Sequence, residues 1–269
     1  MVVWQIENIL NYINWSLHDL HGIRLIEMKT KKHFVTARIV SLVVIFAVLV
    51  SGCCTGDCPR FWGGCPQGVP DSSCWEDVFN ADLSNAEMKP GSWAWDKDGS
   101  LTPITGDTLF SKKDYANFIL DVGYVMDPAA NSGLFLYDTK HPTHKFEIQI
   151  LDDHHPQYSN EVPYQLTGAI YGRLPPAKVN SKPAGELNRI VADCRGTKVK
   201  IFVNGEKVVD TDLSQWTDPN VNPDGTAVPK WHKGFPALGT IPMHGRIALQ
   251  GVHGGKAVHF KYLKVKELK

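Results

Sequence analysis

Neither sign of charge prevails in this chain: Lys+Arg and Asp+Glu both number 28 across 269 residues. With a formal charge of zero there is no basic surface to neutralise phosphates, which argues against nucleic acid as a partner. Strong helical periodicity is missing from residue 75 onward. The cysteines number only six, and they lack the paired C-x2-C spacing and histidine partners of a zinc site. Glycine (23) and proline (17), by contrast, are plentiful. Turn residues in that number, with no helical pattern between them, describe an all-β body.

The N-terminal part reads differently. The basic stretch "MKTKKHFVTAR" (28–38) runs into "IVSLVVIFAVLV" (39–50), twelve residues with a single serine and no charge. A bilayer-spanning helix needs about 20 residues, so this run is too short to cross. Small residues, Ser51 and Gly52, then precede Cys53. A basic region, a short apolar region and small residues before a cysteine have the form of a bacterial lipoprotein signal peptide over 28–52. The expectation is an exported protein anchored to a membrane by lipid on the Cys53 thiol. Residues 1–27 sit upstream of that signal and are expected to be an extension from a start codon placed too early. The segment 53–74 holds five of the six cysteines among Gly and Pro. It reads as a tether stapled by disulfides, the usual fate of cysteine in an exported chain, with connectivity open.

From Trp75 to the end, about 195 residues suffice for one β domain. Phe118, Leu120, Val122 and Tyr124 alternate along one candidate strand. "SGLFLY" (132–137), "FEIQIL" (146–151), "TGAIYG" (167–172) and "GRIALQG" (245–251) follow as others. Asn204-Gly205 suits a type I′ hairpin, because both central residues need positive φ. Val199, Ile201 and Val203 before it should face the core. In "AVHFKYLKVKEL" (257–268), Phe260 is out of phase with Leu263 and Val265, which predicts a bulge near Lys261–Tyr262. Many antiparallel strands without helices between them imply two stacked sheets, a sandwich or jelly roll. The long proline-rich loop 212–244, with Trp216 and Trp231, is of a length that is usually functional or disordered.

The stretch "KFEIQILDDHH" (145–155) carries the chemistry-bearing residues. Glu147 and Gln149 share one strand face, roughly 6.5–7 Å apart. E-x-Q-x-x-D departs at two of three places from the E-x-D-x-x-E strand of laminarinase-like glycosidases. Retaining hydrolysis needs two carboxyls about 5–5.5 Å apart, and an amide cannot serve as one. His253, in "LQGVHGG", lies between a strand and glycines that would let a ligand approach. Trp216 and Trp231 in the long loop offer aromatic faces for a sugar ring, and Tyr137, Tyr164 and Tyr171 add phenols near the same strands.

Blocks spread over nearly all of 75–268 resemble one known family. They include "WEDVFNADLS", "LFSKKDYANFILDVGYVMDPAANSGLFL", "FEIQILDD", "TGAIYG", "KPAGELNRIVADCRGTKVKIFVNGEKV", "NPDGT" and "GRIALQGVHGGKAVHFKYLKVKEL", in that order. The family is the 3-keto-disaccharide hydrolase domain, first catalogued as domain of unknown function 1080. The resemblance implies a concanavalin A-like lectin/glucanase jelly-roll sandwich of two antiparallel sheets. It also implies exported bacterial proteins, often lipoproteins, acting on glycosides oxidised at C3. Many members have an arginine where this chain has Tyr137.

A C3 ketone acidifies the C2 proton, so one positioned base can start an elimination at C1 without the missing carboxylate pair. Glu147 or His253 is the expected base. Gln149, Tyr171, Tyr137, Gln250 and Trp231 are the expected substrate contacts. No cofactor is required by this route; a divalent metal held by Asp152, His154 or His253 is another way to polarise the ketone. The alternative function is a non-catalytic carbohydrate-binding module, since such sandwiches serve lectins as readily as enzymes. That reading predicts modest loss of affinity, rather than loss of turnover, when the charge of Glu147 is removed.

Overall fold

The computed structural model describes residues 70–269. The expected upstream extension, the signal peptide, the lipidation site Cys53 and most of the tether lie outside the described residues.

Among the described residues, thirteen strands form two sheets in which every pair is antiparallel. The larger contains β1 (Glu76–Asp77), β3 (Trp93–Trp95), β4 (Leu101–Pro103), β6 (Phe118–Met126), β9 (Asn188–Arg195), β10 (Lys198–Val203), β11 (Glu206–Asp212) and β13 (Val258–Glu267). Its order is β11-β10-β9-β6-β13-β4-β3, with β1 also paired to β13. The smaller contains β2 (Ala86–Glu87), β5 (Leu109–Tyr115), β7 (Asn131–Asp138), β8 (Phe146–Leu151) and β12 (Gly245–Leu249), in the order β2-β5-β12-β7-β8. Hairpin neighbours (β9-β10-β11, β3-β4, β7-β8) alternate with long crossovers that set β13 beside β6 and β12 between β5 and β7, and the architecture is the expected jelly-roll sandwich.

Alternation decides what lies between the sheets. From the larger sheet, Phe118, Leu120, Val122 and Tyr124 of β6 and Val199, Ile201 and Val203 of β10 are fully buried. From the smaller, Leu134 and Leu136 of β7, Ile148 and Ile150 of β8, and Ile247 and Leu249 of β12 meet them in one core. Removing this apolar surface from water is the main stabilising contribution to the fold. Asn204 and Gly205 have φ of +49° and +87°, the type I′ geometry expected between β10 and β11. The register of β13 against β6 shifts between Phe260 and Tyr262, so the bulge lies where the change of phase placed it.

Two sequence readings are corrected. "TGAIYG" is not a ladder strand: Ile170 makes only isolated bridges, to Ile148 and Leu174. Its chain instead lies along the edge of β8 through Gln149 N to Ala169 O (3.1 Å) and Tyr171 N to Glu147 O (2.9 Å). The long loop is ordered by burial. Leu213, Trp216, Leu238 and Ile241 enter the core, and the Trp216 indole N–H donates to Asn222 Oδ1 at 3.2 Å. Trp216 is thereby structural, while Trp231 stays 48% exposed.

Candidate active site

The outward face of β8 is where polar and aromatic groups converge. Phe146, Ile148 and Ile150 are committed to the core, so Lys145, Glu147 and Gln149 point the other way. Pairing with β7 sets Phe135 opposite Glu147 and Gly133 opposite Gln149. The segment along the β8 edge brings Tyr171 beside Glu147, and residues 231–238 of the long loop close the far wall. A cavity of about 440 Å³ is enclosed between them. Phe135, Tyr171, Trp231 and Phe235 give it aromatic walls, with Lys145, Glu147, Gln165, Arg173 and His232 as its polar members. That size and lining suit a small ligand with one or two sugar rings.

Glu147 is the dominant group. Part of the residue is exposed, but its carboxyl turns inward over Gly133. A methyl group at Gly133 would collide with Glu147 Oε1. Burial pushes the Glu147 carboxyl up to about 8, against an opposing pull from Lys145. A carboxyl poised near neutrality both takes and returns a proton at physiological pH. The glycine is therefore part of the device. Gly133→Ala should displace the carboxyl, a flexible group, while the sheet stays intact. We expect turnover to fall about tenfold or more with stability changed by under about 1 kcal/mol, read by kinetics and thermal denaturation.

Tyr171 and Trp231 form the next layer, with ring centroids 4.9 Å apart. The Gln165 amide donates to the Tyr171 hydroxyl at 3.2 Å, which leaves the phenolic proton free to be donated. Burial raises the Tyr171 pKa, and the nearby Glu147 adds to the effect. Tyr171 is thus a neutral donor. Arg173 holds the loop wall in place: its guanidinium donates to Pro219 O (3.0 Å), Pro236 O (3.0 Å) and Phe235 O (3.4 Å). His232 stacks on Phe235 at 4.4 Å and lies over Gly172, where a Cβ would come within 2.8 Å of its ring. Burial, with Arg173 beside it, pushes His232 down to about 4, so the ring is neutral.

Of the residues expected from sequence, Glu147, Tyr171 and Trp231 are brought together. Gln149 is 2% exposed and donates to Asn131 Oδ1 at 3.3 Å, one pair further along the face and outside the cavity lining. Gln250 follows β12 with its N–H on Gly133 O (2.9 Å), and its buried Oε1 has no protein partner. His253 is exposed, bridged to Asn131, and does not line the cavity. Tyr137 is corrected outright. It is fully buried at φ +57°, and its one hydroxyl proton is shared between Ala116 O (3.0 Å) and Gly196 O (3.2 Å).

The expected metal ligands also separate. Asp152 accepts from Ala129 N at 2.9 Å, whereas His154 Nε2 lies 2.8 Å from Ser181 O. Asp153 is tied to Ser181 and Thr167. Among the described residues no group of three or more His, Cys, Asp or Glu could hold a metal ion. The acids and histidines after β8 are pins for the surrounding turns. Sequence reasoning missed Lys145, Gln165, Arg173 and His232. Only Lys145 carried a signal, its place two residues before Glu147 on the same strand face.

A model of the 3-keto-alpha-glucoside-1,2-lyase-like domain matches residues 74–266. The chain is similar to a candidate glycosyl hydrolase from Parabacteroides distasonis ATCC 8503, with 36% identity, TM-score 0.68, and coverage of 72% of this chain and 99% of that one. A second candidate glycosyl hydrolase of the same organism shares the fold at 23% identity and TM-score 0.56, covering 71% of this chain and 93% of that one. Among curated proteins, none matches this chain. A domain match across most of the chain, joined to a glycosidase-like sandwich with an aromatic-walled cavity, assigns this protein to the carbohydrate-active family of 3-keto-alpha-glucoside-1,2-lyase-like domains.

Proposed function

We propose that the protein cleaves glycosides whose sugar carries a ketone at C3, and that it does so by elimination. The observation that supports this most is a single inward-turned carboxyl, Glu147, poised at about 8 in an aromatic-walled cavity without a second carboxylate. Two-carboxylate hydrolysis has no partner group there. The keto sugar stacks on Trp231 and Tyr171. Glu147 removes the C2 proton, whose acidity the C3 ketone supplies, and an enediolate forms. The C1–O bond then breaks as C1=C2 forms and the ketone is restored. The leaving oxygen takes its proton from the Glu147 carboxylic acid, while the Tyr171 hydroxyl orients it. The products are an alcohol and a 2-hydroxyglycal-3-ulose; addition of water at C1 completes net hydrolysis.

The test is release of product from 3-keto-trehalose by the purified protein. With Glu147 as base, kcat/KM should climb with pH and level off above about 8. Saturable binding of the same sugar without turnover would reject elimination and favour a carbohydrate-binding role.

We further propose export and lipid anchoring at Cys53, which rests on the basic, apolar and small-residue pattern of 28–52 alone. A clickable palmitate analogue fed to expressing cells should label the wild-type protein and leave Cys53→Ser unlabelled and in the soluble fraction. Equal labelling of both would remove the assignment.

A further inference from the structure

We propose that Lys145 is the catalytic cation of the site: its ammonium pairs with the oxyanion that forms at C3 of the sugar when Glu147 removes the C2 proton. The proposal rests on, and deepens, the elimination reading above. Proton abstraction next to a ketone fails without a group that steadies the enediolate, and such a group is often the largest single contribution to the rate. Tyr171 and Gln165 are neutral, His232 is neutral, and the Arg173 guanidinium is spent on three carbonyls of the loop wall. Lys145 remains.

Its position fits the task. The Lys145 ammonium lies over the Phe135 ring, 4.4 Å from its centroid, and Phe135 is the cross-strand partner of Glu147. The Glu147 carboxyl leans the other way, over Gly133, the next outward residue of β7. Neighbouring outward residues of a strand are roughly 6.5–7 Å apart, so cation and base flank a gap of about that width. A C2–C3=O unit fills such a gap: about 3 Å from carboxylate to C2, about 2.4 Å from C2 to the keto oxygen, and about 2.8 Å onward to the ammonium along a bent path.

The charge of Lys145 is also available. Its nearest carboxylate, Asp138 at 3.3 Å, already accepts from Arg246 at 2.8 Å. Arg246 and Lys140 in turn share Glu87, so three cations are set against two carboxylates. A developing oxyanion completes the balance. Lys145 keeps 21% of its side chain exposed, enough to reach a ligand without leaving the wall. In the reaction the C2–H electron pair moves into C2=C3, and the carbonyl oxygen takes the negative charge against the ammonium. The charge then flows back as the C1–O bond breaks, and Lys145 gains and loses no proton. The groups facing Glu147 are Lys145 from its own strand and Tyr171 from the segment beside it.

The experiment follows hydrogen–deuterium exchange at C2 by NMR, together with aglycone release, from methyl and 4-nitrophenyl 3-keto-α-glucosides. The proteins are wild type, Lys145→Met, Lys145→Arg and Glu147→Gln. Lys145→Met should lower kcat for exchange and release together by about 10²–10³-fold with both leaving groups, with KM changed little. Lys145→Arg, which keeps the cation, should recover at least about a tenth of wild-type turnover. The acid limb of the pH profile should move upward in Lys145→Met, because Lys145 now lowers the Glu147 pKa; the rates are therefore compared on the high-pH plateau, where a merely structural lysine would leave kcat unchanged and the catalytic cation would not. Lys145→Gln repeats the test if the methionine variant does not fold. Exchange within about threefold of wild type, or a loss confined to KM, would overturn the role of Lys145 and leave the elimination standing. A wild type that neither exchanges C2–H nor releases either aglycone would overturn both.

Discussion

Glu147→Gln should lower turnover of a 3-keto-glycoside by about 10²–10⁴-fold, the range for loss of a positioned acid–base group. The amide keeps the shape of the carboxyl, so it still lies over Gly133 and the cavity keeps its volume. Ground-state binding should survive, which makes the loss one of kcat. The same substitution should change stability in the opposite sense. Burial raises the Glu147 pKa from 4.5 to about 8 in the folded chain, so the native state holds a proton that the unfolded state releases. Stability from this group is therefore complete below about pH 4.5 and is lost as pH rises through about 8. The glutamine variant has nothing to ionise there. It should be more stable than wild type by roughly 1–3 kcal/mol at pH 8–9, after allowance for partial solvent screening, and equal to it near pH 4. Urea denaturation at three pH values, beside the assay, checks both halves. A variant that loses activity and stability together at every pH would mean that Glu147 is a structural residue.

Arg173→Met should have the second large effect. Arg173 is 1% exposed, and its guanidinium supplies the donors for three loop carbonyls. Methionine fills much of the volume but donates nothing. Each buried acceptor left unpaired costs about 1–3 kcal/mol, and part of that is offset because a buried cation is also removed. A net loss of about 2–4 kcal/mol is expected, read as a lower denaturation midpoint. The 216–238 wall carries Trp231 and His232, so substrate affinity should weaken as well. Arg173→Lys should recover only part, since an ammonium cannot reach three carbonyls in a fixed plane. Unchanged amide hydrogen exchange across 216–238 in Arg173→Met would reject its role as the pin of that wall.

Much of the sandwich was legible because its rules are local. Alternation along 118–124 and 199–203 follows from the two-residue period of a strand, and the buried residues are the ones the period selects. Asn204-Gly205 predicted its own turn because few residue pairs tolerate positive φ in succession. The bulge at Lys261 was visible as a change of phase. "TGAIYG" misled because a short apolar run beside β8 looks like a strand even when it pairs through isolated bridges. Tyr137 misled for a related reason: a phenol near the end of a strand has no sequence mark that separates a core hydrogen-bond donor from a ligand contact.

The sequence by itself determined the all-β class, the turns, the inward face of each long strand, and the place of Glu147 on an outward face. These are matters of spacing and backbone sterics, resolved within a few residues. Only the tertiary structure decided which outward groups meet. Tyr171, Arg173 and Trp231 line one cavity with Glu147 because one segment lies along the β8 edge and a loop more than fifty residues further on folds over it. The same packing set Asp152 and His154 apart, since each found a hydrogen-bond partner more than twenty residues away in sequence, Ala129 and Ser181. The basicity of Glu147 belongs to this level too. A carboxyl's pKa rises when other parts of the chain exclude water from it, and no spacing within "KFEIQIL" encodes that exclusion.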